Sequence, residues 1–122
     1  MFLFEGTGKP NNSIIKNVER KKTMVHHIVM WKFKPEITEE KKPELKKAMA
    51  DNLKSLVGKV PGLCTVEFIE QPIPSSTHDI ALVTTLEKEE DIAVYATHPE
   101  HVKVADTYVR PYVTERACLD YK

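Results

Sequence analysis

The sequence predicts an α+β domain in which helices cover one face of a four-stranded sheet. Three observations carry this. Four segments place apolar residues with a period of two, the signature of strands. Others repeat apolar residues at helical spacing. The order is strand, helix, strand, strand, helix pair, strand. At 122 residues and 41% hydrophobic, the chain fits one domain with one modest core.

Residues 1–23 differ from the rest. Gly6, Gly8, Pro10, Asn11, Asn12 and Ser13 break regular structure, and only Ile14, Ile15 and Val18 offer anything to bury. The charged run Glu19-Arg20-Lys21-Lys22, whose codons are purine-rich, precedes Met24. We expect the domain to span residues 24–122. Residues 1–23 are then translated upstream sequence or a flexible arm, the alternative being an added edge strand or an arm across a partner.

Val25 to Lys34 reads as a strand. Val25, His27, Val29, Trp31 and Phe33 share one face; His26, Ile28 and Met30 share the other. Thr38 is a candidate N-cap for a helix carrying Leu45, Met49, Leu53 and Leu56 on one side. Pro43 places the start of its regular part near Lys42, and Gly58 with Pro61-Gly62 ends it. Leu63 to Glu70 is a second strand, with Cys64, Val66 and Phe68 opposite Thr65, Glu67 and Ile69. After a Pro- and Ser-rich loop, Asp79 to Leu86 is a third, apolar on both faces. Glu89, Glu90 and Asp91 open a short helix burying Ile92 and Tyr95. Pro99 starts another, carrying Val102, Ala105 and Val109 to the core until Arg110-Pro111. Val113 to Tyr121 is the last strand, with Ala117, Leu119 and Tyr121 in phase.

This order is the ferredoxin-like βαββαβ arrangement, whose helices cover one sheet face only. The first and third strands are nevertheless apolar on both faces. One chain cannot bury the second face and a second copy can, so we expect a homodimer packed sheet against sheet.

Eighteen basic and eighteen acidic residues balance, so no basic surplus points to nucleic acid or an anionic membrane. No apolar run approaches the roughly 18 residues of a membrane helix. The opening Met1-Phe2-Leu3-Phe4 is too short for a signal peptide, which makes cytoplasm the expected location. Cys64 and Cys118 lack metal-ligand spacing and are expected to be free thiols.

The stretch Tyr95-Ala96-Thr97-His98-Pro99-Glu100-His101 concentrates the candidate chemistry. Pro99 disfavours the α conformation at His98, so one helix ends near Thr97 and another begins at Pro99. Tyr95 and His101 are thereby aimed at a common space. His101 suits general-base work at neutral pH, or it is a helix histidine with a local hydrogen bond. Tyr95 can hold a developing oxyanion, or it is a core aromatic. His98 reads as a cap. His98 and His101 straddle a helix start and do not share a face, so no metal site is expected. His27 and Trp31 read as core or pocket-wall residues.

His27-Ile28-Val29 with Lys32-Phe33-Lys34, then Tyr95-x-x-His98-Pro99-x-His101-Val102, then Asp120-Tyr121 resembles the stress-responsive A/B barrel family, Dabb. The resemblance covers residues 24–122 and implies a dimeric α+β barrel of ferredoxin-like subunits. The family includes a plant polyketide cyclase that closes a linear tetraketide by aldol condensation without a cofactor. Its tyrosine–histidine acid/base pair falls on Tyr95 and His101, and a further pocket histidine on His27. Where that cyclase has a pocket tyrosine on its first long helix, this chain has Met49, which implies a more apolar pocket. Three readings follow: a stress-response protein binding an apolar small molecule near His27, Trp31 and Met49; a cofactor-independent lyase or isomerase using Tyr95 and His101; or a purely structural dimer.

Overall fold

The computed structural model describes residues 24–122; the expectations for residues 1–23 lie outside them. Strand β1 spans Val25–Phe33, helix α1 Lys42–Lys54, β2 Leu63–Ile69 and β3 Ile80–Leu86. Helix α2 spans Glu90–Thr97, α3 Pro99–Val104 and β4 Val113–Tyr121. The strands form one antiparallel sheet in the order β2-β3-β1-β4, with α1 to α3 over one face. This is the ferredoxin-like α+β fold. β1 buries Val25, His27, Val29, Trp31 and Phe33 beneath the helices, the face its alternation assigns to the core. Met49, Leu53 and Leu56 close over them.

Thr38 does not cap α1 with its hydroxyl. Its carbonyl accepts from the Lys41 N–H at 3.1 Å, closing a separate turn. The helix follows at Lys42, where Pro43 in the first turn lacks a hydrogen that would have no partner anyway. α3 also departs from a regular helix. It widens into a π-helical turn over Ala105–Val109 and tightens into a 3-10 turn over Arg110–Tyr112. Val104, Ala105 and Val109 are buried, whereas Val102 is only partly so.

β4 holds the most consequential departure. Glu115 has φ +52°, and the pairing with β1 slips by one residue between Met30 and Lys32. One extra residue in β4 is a β-bulge, and the side-chain parity reverses beyond it. Val113 faces the core opposite Phe33, but Ala117, Leu119 and Tyr121 fall opposite Met30, Ile28 and His26 on the open face. Cys118 and Asp120 therefore turn toward the helices, opposite Val29 and His27. Another slip of one residue, between Leu63 and Thr65, lets Leu63 and Val66 both pair with inward residues of β3.

Candidate functional site

Tyr95 closes the last turn of α2, and the chain then straightens at His98, with ψ 132°, as Pro99 requires. His98 caps α3: its Nδ1 accepts from the Glu100 N–H at 3.1 Å. His101 sits in the first turn beyond, and its ring lies 4.2 Å from that of Tyr95, tilted by 43°. The Nδ1 of His101 is 3.2 Å from the Ala96 carbonyl oxygen. A carbonyl only accepts, so Nδ1 carries the proton of the neutral ring and Nε2 is left as a basic lone pair. Burial lowers the His101 pKa below its ordinary value, partly offset by the Ala96 bond.

Tyr95 is 2% exposed, and its hydroxyl finds no hydrogen-bond partner among the described residues. Burial alone pushes its pKa far up, so the hydroxyl keeps its proton and is a donor. An orphaned buried hydroxyl carries a free-energy cost, and native structures rarely leave one unexplained.

Both side chains line a cavity of about 330 Å³ between sheet and helices. Val29, Trp31, Leu53 and Leu82 form its apolar wall, with Ala105 and Val109 from the π-helical turn. His27 lines it as well, on the same face of β1 as Trp31. Met49 does not line this cavity: it is fully buried in the core, and Leu53, one turn further along α1, faces the space instead.

The polar end of the cavity comes from β1 and β4. His27 is 6% exposed, and its Nδ1 lies 2.5 Å from Asp120 Oδ1. Cys118 Sγ is 3.8 Å from the same Nδ1 and 3.6 Å from the same oxygen. The rings of His27 and Tyr95 meet edge to face at 6.1 Å. Arg110 and Arg116 line the cavity too, and Arg110 is paired with Asp106 at 2.5 Å. Sequence reasoning assigned no role to Asp120, Cys118 or the arginines. The one available signal was Asp120 closing the final motif; its inward orientation depends on the bulge. Both cysteines are free, on opposite edge strands of the sheet.

Residues 25–122 match the Stress Responsive A/B Barrel Domain, Dabb. The chain belongs to this family. Among solved structures, the Dabb chain resembles a dimeric ferredoxin-like protein of unknown function from Bacteroides fragilis, with 30% identity over 81% of this chain and 95% of that one, and a TM-score of 0.74. It resembles a protein from Arabidopsis thaliana with 25% identity over 80% and 93%, and a TM-score of 0.61. It shares the fold of the hydroxynitrile lyase from Passiflora edulis at 15% identity over 81% and 92%, with a TM-score of 0.63. No curated protein sequence matches the chain. No helix of the described residues is long and apolar enough to cross a membrane.

Proposed function

We propose that this Dabb protein binds a largely apolar small molecule bearing a carbonyl oxygen in the cavity between sheet and helices. The orphaned Tyr95 hydroxyl carries the reading. It is a buried donor beside an apolar space, and a ligand oxygen there would give it the partner the protein withholds. The volume of about 330 Å³ suits a small ligand.

A second reading is favoured by the His101 tautomer. With Nδ1–H held by Ala96, Nε2 can take a proton from a carbon next to the bound carbonyl while Tyr95 O–H stabilises the enolate oxygen. That is cofactor-independent lyase or isomerase chemistry of the polyketide-cyclase kind. The hydroxynitrile lyase from Passiflora edulis, which shares the fold, supports this second reading.

We also propose a homodimer through the open sheet face. Leu119 is 63% exposed there, beside Ile28, Met30 and Tyr121, and related structures are described as dimeric. Native mass spectrometry of the protein against a library of enolisable carbonyl compounds tests the ligand. One molecule retained per chain, and lost in Tyr95→Phe, is expected. Binding that Tyr95→Phe leaves unchanged overturns the assignment. Hydrogen–deuterium exchange at the ligand's α-carbon, lost in His101→Ala while binding persists, separates proton transfer from binding alone.

A further inference from the structure

His27, Cys118 and Asp120 stand 91 residues and more apart in sequence on one side, yet one ligand atom from each lies within 4.8 Å of the others. The juxtaposition is built by the sheet. Asp120 is the antiparallel partner of His27, Cys118 that of Val29, and the Glu115 bulge turns both toward the helices. Without the bulge, positions 118 and 120 would face the open side.

We propose that these three side chains bind a divalent zinc ion at the polar end of the cavity. An imidazole nitrogen, a thiolate and a carboxylate are all zinc donors, and the thiolate selects against magnesium and calcium. The edge lengths fit. Tetrahedral zinc bonds place sulfur roughly 3.6 Å from nitrogen or oxygen, and nitrogen roughly 3.3 Å from oxygen. The observed Sγ–Nδ1 and Sγ–Oδ1 separations are 3.8 and 3.6 Å. Only Nδ1–Oδ1, at 2.5 Å, must open, and the Asp120 side chain is 38% exposed, so solvent rather than packed protein borders it.

Charge agrees as well. Thiolate and carboxylate together offset the ion's two positive charges, and binding releases the thiol proton to solvent. Arg116 lines the same cavity and opposes a cation there, but two anionic ligands outweigh it. Three protein ligands leave a fourth position, the arrangement of a catalytic rather than a structural site. The cavity supplies that position, and a carbonyl oxygen or water can fill it.

Cobalt(II) is the probe, because a cobalt–thiolate bond produces an intense near-ultraviolet charge-transfer band. The metal-free full chain should develop this band on titration to one cobalt per chain, and zinc should abolish it by displacement. Cys118→Ser should remove the band. His27→Gln and Asp120→Asn should each weaken zinc binding at least about tenfold by calorimetry. Cys64→Ser should leave band and affinity unchanged, and Tyr95→Phe likewise, so failure here is separable from failure of the ligand reading. Cys118 is exposed, so its variant is expected to fold, which circular dichroism checks. Absence of the band in the native chain, its persistence in Cys118→Ser, or its loss in Cys64→Ser would overturn the site.

Discussion

Tyr95 and His101 each carry a cost to stability. The Tyr95 hydroxyl is buried and unpaired, so Tyr95→Phe removes a desolvation cost while keeping the ring's packing. We expect it to raise stability by about 1 kcal/mol in chemical denaturation while it loses ligand. A loss of stability instead would show that the hydroxyl has a partner. The cost at His101 depends on pH. Burial holds its folded pKa below the ordinary 6.5. Between those two values the unfolded chain binds more protons than the folded one, so stability is intact above about 6.5 and falls as pH drops below it. In His101→Gln that contribution to the slope should vanish, which paired urea titrations from pH 7.5 to pH 5 can read. The same lowering leaves Nε2 unprotonated to a more acid pH than in a free histidine, so any proton-transfer activity should fall off at a more acid pH than a free imidazole would set.

At the scale of elements, the bulge in β4 decides which side chains reach the cavity. Glu115 adopts a left-handed backbone that costs a non-glycine residue about 1 kcal/mol. Its salt bridge to Lys32, at 3.7 Å between exposed groups, returns little. Glu115→Gly should therefore stabilise the protein by several tenths of a kcal/mol to about 1 kcal/mol without moving the register. Glu115→Val, β-branched at the same angle, should destabilise it. Amide exchange across β1 and β4 reports the register directly. Equal stability of the two variants would argue that the left-handed turn does not form. After α3, Ala105 and Val109, four residues apart and so on one face, complete the cavity wall.

At the scale of the whole molecule, helices protect one sheet face and leave the other open. Ile28, Met30, Val83 and Leu119 lie on that open side, with Tyr121 stacked on His26 at 4.6 Å between ring centroids. A specific dimer there would bury on the order of 1,600 Å². Ile28→Lys sets a charge in its middle, so sedimentation should change from dimer to monomer at micromolar concentration. A native protein that already sediments as a monomer would contradict the interface.

The repeat of two along β1 and the 45, 49, 53 spacing of α1 were sufficient to specify sheet, helix and buried face. Both patterns follow from backbone geometry that each segment imposes on itself. Pro99 likewise announced the helix junction, because its ring restricts the residue before it whatever surrounds them. The apolar surplus on both faces of β1 and β3 pointed to an open sheet side for the same local reason. The inward turn of Cys118 and Asp120 was not legible. Reading every second residue from Val113 puts Leu119 and Tyr121 inward, and a bulge of one residue reverses that parity. Whether a bulge forms depends on how β4 pairs with β1, a contact between segments some ninety residues apart. The convergence of His27, Cys118 and Asp120, the replacement of Met49 by Leu53 on the cavity wall, and the isolation of the Tyr95 hydroxyl are properties of packing between elements, and only the tertiary structure decides them.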